Sequence, residues 1–207
     1  MDWKTAIIFD PDDDRRTAIY RELAASGSAI PVASLADLGS SWPPSAWFFV
    51  HDDEALLAQL QRAFAKQGAF HPIVVYSEAL VPSRVVAAIY GGAVNYVQWP
   101  CDAETIAESI RSVADLARRR CEHSEARLAA QDRLSALSPR ELAVARRVSA
   151  GMTSKEIGRD LGISHRTVEI HRANALAKIG ARNTADASRL FADAEDGADP
   201  IIRAAAA

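Results

Sequence analysis

The sequence predicts an α/β doubly wound five-stranded parallel sheet followed by an all-α unit of four short helices. Two patterns carry this: short apolar runs alternate with amphipathic stretches through the N-terminal half, and helix start and stop signals crowd the chain beyond Leu137. Charge divides the chain in the same way. Residues 136–191 carry 10 basic and 5 acidic side chains, or +5, inside a protein of net charge −3.

Thr5 to Phe9 (TAIIF) is a strand-like run that ends in the acidic cluster Asp10-Pro11-Asp12-Asp13-Asp14. A helix follows, with Ile19, Leu23 and Ala24 on one face and Gly27 as its stop. Ala29 to Val32 reads as a second strand, Leu35 to Leu38 as a short helix, and Trp47 to Val50 (WFFV) as a buried strand. Glu54 to Lys66 is helical with Leu56, Leu57, Leu60 and Phe64 inward. Ile73 to Tyr76 (IVVY) is the fourth strand, Val81 to Tyr90 a helix stopped by Gly91-Gly92, and Val94 to Val97 the fifth strand. From Asp102 to Leu134 there is no proline or glycine, and Ile106, Ile110, Val113 and Leu116 line one face of a long helix. Its second part, from Arg118 onward, is too polar for a core. It reads as an extended connector or as one strand of a weak coiled coil.

Unbroken apolar strands alternating with helices imply a parallel sheet covered on both faces. Ligand sites in such sheets lie at the carboxyl ends of the strands. There stand Asp10, Asp12 and Asp13, then His51, Asp52 and Asp53, then Ser77, then Gln98-Trp99-Pro100. Asp12 to Asp14 also suit the positive N-terminal end of the first helix, where carboxylates cap backbone amides.

The C-terminal helices are marked residue by residue. Ser138-Pro139-Arg140-Glu141 is a capping box with proline at the first helical position, and Gly151 ends that helix. Thr153-Ser154-Lys155-Glu156 is a second capping box, with Gly162 as stop. Ser164 caps a third helix running to Ile179, with Val168, Ala175, Leu176 and Ile179 inward, and Asn183 starts a fourth reaching Ala194. Two short helices joined by Gly162-Ile163-Ser164 form a helix-turn-helix, whose second helix can enter a DNA major groove by its N-terminal half. That half presents Arg166, Thr167, Glu169, Ile170, His171 and Arg172, while Thr153, Lys155 and Lys178 are placed for phosphates. Glu169 suits a cytosine amino group rather than a merely cationic surface.

No apolar run approaches a membrane span, and Met1-Asp2-Trp3-Lys4 does not lead into the long apolar core of a secretory signal, so a cytoplasmic protein is expected. Cys101 and Cys121 form no disulfide framework or metal cluster. No catalytic triad, P-loop or zinc spacing is present, so an independent enzyme is not expected. RNA binding is disfavoured by the missing aromatic stacking platform.

Residues 137–191, through LSPRE, GMTSKEIGRDLGIS and RTVEIHRANALAKIGARN, resemble the LuxR-type helix-turn-helix, closest to the FixJ/NarL type of response regulators. The resemblance implies DNA binding as a dimer, with the fourth helix in the dimer contact. Residues 4–118, through the acid cluster, IVVYS and GGAVNYVQWP, resemble a response-regulator receiver domain. That implies a flavodoxin-like strand order and a pocket of Asp10, Asp12, Ser77, Tyr96 and the residue at Trp99, with Mg²⁺ on Asp10 and Asp12 and a phosphoacceptor near Asp52 or His51. The chain departs from the pattern at four places, one of them the missing Met-Pro-containing loop after the expected acceptor. Pro11 stands at the second acid, His51 precedes Asp52 where the acceptor aspartate is expected, and Trp99 replaces a lysine. An indole cannot neutralise phosphoryl charge, and a one-residue slip along a strand turns a side chain to the other face.

The expected organisation is therefore a receiver-like domain at 1–118, a helical linker at 119–136, a LuxR-type DNA-binding domain at 137–194 and a tail at 195–207. The expected function is a two-component-type transcription regulator whose atypical receiver lacks normal aspartate phosphorylation and serves dimerisation or partner binding. No cofactor is required. Expected partners are double-stranded operator DNA, a second copy of the chain, and a sensor kinase or another regulator. The alternatives are a switch phosphorylated at Asp52 or oxidised at Cys101, and a sequestering heterodimer partner.

Overall fold

A computed structural model describes residues 5–25, 27–39, 42–43, 46–67 and 70–195; the expected 196–207 part of the tail lies outside them. The first unit, up to Ser124, holds β1 (Thr5–Phe9), α1 (Asp13–Ala24), β2 (Ser28–Val32), β3 (Trp47–His51), α2 (Glu54–Gln67), β4 (Ile73–Ser77), α3 (Pro82–Tyr90), β5 (Asn95–Gln98) and the first part of α4 (Ala103–Ser135). All neighbouring strands pair in parallel in the order β2-β1-β3-β4-β5, the doubly wound order expected from the resemblance. A 3-10 turn at Leu35–Leu38 is closed by a reciprocal Ser34–Asp37 capping box. Pro31 is tolerated because β2 is an edge strand.

Alternation along the strands sends side chains into two cores. Ile8, Phe49, Val74, Tyr76 and Trp99 pack beneath α1 and α4. Ile7, Phe9, Phe48, Val50 and Val75 pack beneath α2 and α3. Burial on both faces explains why these strands read as continuous apolar runs. Some details differ from the periodicity. Ala24 is exposed, Val81 is the N-cap of α3 rather than its first turn, and Val94 precedes β5. On α4, Ile106 and Ile110 are buried and Val113 packs against them, while Ala117 rather than Leu116 completes the buried stripe.

The polar second part of α4 is helical to Ser135, but it is not a freely solvated rod. The Arg120 guanidinium lies 6.0 Å from the Phe70 ring centroid, so its stem is buried despite the charge.

The second unit begins at Glu125, within α4, and contains α5 (Pro139–Ser149), α6 (Ser154–Leu161), α7 (His165–Lys178) and α8 (Thr184–Glu195). Ala130 and Leu134 of α4 pack with Leu137, Ala145, Ala175, Ile179, Leu190 and Phe191, so residues expected in the linker contribute to this core. Both capping boxes form, Ser138 with Glu141 and Thr153 with Glu156, and Ser164 caps α7 through Thr167 N–H. Gly162 sits at φ 66° in the left-handed region, where a Cβ is unfavourable. Gly158 is required for another reason: a Cβ there would lie 2.8 Å from the Ile163 carbonyl oxygen. Its absence lets α6 approach the turn that begins α7.

Glu141 ties two helices together. Its carboxylate accepts from Ser138 N–H at 2.9 Å and from Lys178 Nζ, at the far end of α7, at 2.7 Å. The Lys178 ammonium and the capping hydrogen bonds pull the Glu141 pKa down to about 2. Because this pKa is depressed in the fold, the contribution is complete above the ordinary value of 4.5 and is lost as pH falls towards about 2.

Two outcomes follow for the helical unit. Gly158→Ala should lower its unfolding free energy by about 1–3 kcal/mol, measured by urea denaturation, because the clash is with backbone that cannot rotate away. Lys178→Ala should lower the thermal midpoint at pH 7 and flatten its decline with acid between 4.5 and about 2, measured by circular dichroism melting across pH.

Candidate nucleic-acid interface and receiver sites

The packing of α7 leaves one face free. Val168, Ala175 and Ile179 point into the core. Arg166, Glu169 and Ile170 are exposed, Ile170 at 52% accessibility. Thr167, His171 and Arg172 are half-buried at the margins. Lys155, the second residue of α6, is exposed, as is Arg166. The capped N-termini of α6 and α7 add backbone amides and the positive ends of two helix dipoles.

Several residues expected at this surface are held within the fold. Lys178 is paired with Glu141, Arg172 donates to Thr184 Oγ1 at 3.1 Å, and the Thr153 hydroxyl donates to Glu156 at 2.7 Å. Glu169 is half-exposed but not loose. The hydroxyl of Ser154, first residue of α6, donates to its Oε1, and His165 Nε2 lies 3.9 Å from the same oxygen. Ser154 was visible in the sequence only as part of a capping box, since a contact across fifteen residues leaves no local trace.

At the carboxyl ends of the strands the expected pocket is divided between the two faces of the sheet. Asp10, 0% exposed, lies on the α1–α4 face. Its carboxylate accepts from Arg15 Nε at 2.9 Å, a second Arg15 nitrogen at 3.0 Å, the Tyr76 hydroxyl at 2.6 Å and Asp12 N–H at 2.8 Å. Burial works against its charge, but the hydrogen bonds from Arg15 and Tyr76 hold its pKa below the usual carboxylate value. Trp99 is buried against Tyr76, ring centroids 6.4 Å apart, and the Trp99–Pro100 bond is cis. His51 lies on this face too, 5.7 Å from the Tyr76 ring and 3.2 Å from Glu78 Oε2.

Asp52 leaves on the opposite face. The strand closes with Asp53 N–H donating to His51 O at 2.7 Å, and the Asp52 carboxylate meets Arg84 of α3 through two 2.9 Å hydrogen bonds. Tyr96 adds its hydroxyl at 2.8 Å. Burial opposes the Asp52 charge, and the Arg84 and Tyr96 hydrogen bonds more than offset it, so its pKa is lowered. Ser77, by strand alternation, shares this face.

This donor set does not fit Mg²⁺. Asp10 has its lone pairs occupied by an arginine, a tyrosine and a backbone amide, Asp12 caps α1 through Arg15 N–H at 2.9 Å, and Asp52 is on the other side of the sheet. Among the described residues no group of three or more His, Cys, Asp or Glu could hold a metal ion. Arg15 and Arg84 were not singled out from sequence. Arg15 carries a weak signal, in the first turn of the helix that follows Asp10, whereas Arg84, in the first turn of α3, is separated from Asp52 by a helix and a strand.

Comparison with known proteins agrees with both units. Residues 135–191 match the family of bacterial regulatory proteins described as the luxR family. The chain is 30% identical over 195 residues to the C4-dicarboxylate transport transcriptional regulatory protein DctR of Rhodobacter capsulatus, an alignment covering 90% of this chain and 98% of DctR. It is 39% identical over 118 residues to the transcriptional regulatory protein FixJ of Rhizobium meliloti (strain 1021), covering 54% of each. With TdiR of Thauera aromatica, 32% identical over 128 residues, the match covers 62% of this chain and 56% of TdiR, so the chain spans little more than half of these two relatives. The response regulator StyR shares the fold at a TM-score of 0.60 and 20% identity, over 92% of this chain and 98% of StyR. The five-stranded sheet in receiver order, the luxR-family match and the near full-length likeness to DctR make this chain a member of the FixJ/NarL-type response regulators, transcriptional regulators with a LuxR-type helix-turn-helix domain.

Proposed function

We propose that the chain regulates transcription by docking α7 in the major groove of operator DNA as a homodimer, with a receiver that is not switched by aspartate phosphorylation. The observation that carries the first half is the exposed Arg166, Glu169 and Ile170 face on a helix whose other face is sealed in the core. Ile170 suits a thymine methyl, Glu169 a cytosine amino group, and Arg166 and Lys155 the flanking phosphates. Arg172 and Lys178 support the helix from within and contribute less to affinity than their charge alone suggests. His171 and Thr167 border the same surface.

The second half rests on the two arginine clasps. Phosphoryl transfer needs an unhindered carboxylate beside concentrated positive charge that can receive the phosphoryl oxygens. Here the guanidinium of Arg84 is already bonded to the would-be acceptor. The receiver then serves as a dimerisation or partner-binding platform. A sensor kinase is not needed for this role; another regulator fits it as well.

One observation favours a second reading, a switch at Asp52: its carboxylate lies at the end of β3 beside Tyr96, as a phosphoacceptor would. Cys101 fits a redox switch poorly, because burial pushes its thiol pKa up and disfavours the reactive thiolate. A sequestering heterodimer would show as tight partner binding without a selected DNA site.

Selection of bound duplexes from a random pool should yield a two-fold symmetric site; no enrichment at modest salt would defeat the docking. On that site, Lys155→Ala should weaken all sequences and reduce the slope of log affinity against log salt by about one unit, measured by fluorescence anisotropy. Incubation with Mg²⁺ and acetyl phosphate should leave the intact mass unchanged; a stoichiometric adduct on Asp52 would establish the second reading instead.

A further inference from the structure

The recognition face carries one carboxylate, and its setting raises a physical question. Glu169 faces the surface that would approach polyanionic DNA, where an unrestrained glutamate costs repulsion and three rotatable bonds of entropy. In this fold the side chain is restrained from the neighbouring helix. Ser154 is only 6% exposed, and its hydroxyl is directed at Glu169 Oε1. That hydroxyl is not needed by its own helix, because Thr153 supplies the cap of α6. The approach that permits the contact depends on Gly158, one turn further along, where any side chain would strike the Ile163 carbonyl.

We infer that Ser154 is a positioning residue for sequence readout: it holds Oε1 of Glu169 so that Oε2 faces the groove as a fixed acceptor for a cytosine amino group. This rests on the α7 docking proposed above. With one oxygen engaged by Ser154, a single acceptor remains for the base edge, and the side chain reaches the DNA already ordered. An acceptor held in place rewards the donor-bearing cytosine edge and penalises the acceptor edges of guanine, because a buried acceptor facing another acceptor stays unsatisfied.

The test uses the full chain and duplexes selected from a random pool, followed by binding to a panel with every single base-pair change. Glu169→Ala should lose roughly tenfold discrimination at one base pair of each half-site, which identifies the pair that Glu169 reads. Ser154→Ala should lose about three- to tenfold discrimination at that same pair and at no other, the weight of releasing one long side chain. Glu169→Gln should move the preference at that pair from cytosine towards an acceptor-bearing base, because the amide oxygen still accepts from Ser154 and the amino group is then turned outward. That reversal is not something loss of stability would produce, so it tests the contact even if Ser154→Ala folds poorly.

If Glu169→Ala alters the pair while Ser154→Ala leaves its discrimination intact, the Ser154 contact has no role in readout and the docking of α7 still stands. Should Ser154→Ala weaken every position equally with a lowered melting midpoint, its role is structural and the inference fails. No selected site for the wild-type chain overturns both this inference and the proposed function.

Discussion

A carboxylate withdrawn from water must be compensated by donors, and the first unit meets that demand completely at Asp10, which is fully buried, and again at Asp52, which is mostly buried. The doubly wound topology brings the carboxyl ends of β1 and β3 together at the centre of the sheet and crowds acidic residues there. Two arginines from covering helices supply the compensation, Arg15 from α1 for Asp10 and Arg84 from α3 for Asp52. Each pair adds a tyrosine hydroxyl, from Tyr76 and Tyr96, so that neither carboxylate depends on an external cation. Breaking such a pair from one side leaves a stranded charge, which is why these clasps hold the strand ends in one arrangement.

The same two clasps are the observations on which the proposal of an unphosphorylated receiver rests. Phosphoryl transfer rests on positioning and on cations that neutralise the developing charge. Here His51 occupies the place one residue before Asp52, and the pleat sends Asp10 and Asp52 to opposite faces. Trp99 fills the space beside Tyr76 with an apolar ring in a position where the resembling family carries an ammonium. Tryptophan in place of the lysine and the arginine pairing of Asp10 and Asp52 are the observations that favour the proposed unphosphorylated receiver.

The helical unit solves a different problem. Helices this short are marginal alone, so each is fixed by capping and by ties to its neighbours. Glu141 closes its own helix and receives Lys178 from the end of α7, while Arg133 of α4 donates to the Ile179 carbonyl at 2.8 Å, where α7 leaves orphan acceptors. Cations used in this way keep α7 rigid, which is what a helix needs if its exposed side chains are to meet base edges in one register.

The local rules decided much of this protein before any tertiary contact was considered. Capping boxes at Ser138 and Thr153, the glycine stop at Gly162 and the strand at Thr5–Phe9 depend on neighbours within a turn or on apolar alternation, so they were legible directly. Which face of α7 stays exposed follows from which of its residues are apolar. Pairings between distant segments were not legible: Asp52 with Arg84, Ser154 with Glu169, and Glu141 with Lys178 join residues whose distance apart is set only when helices pack. The polar half of α4 shows the same limit, since Ala130 and Leu134 join a core whose other walls come from α5, α7 and α8. Hydrogen bonding along the chain is a local property and leaves a local pattern. Which charge meets which across a fold depends on close packing of whole elements, and that information exists only in three dimensions.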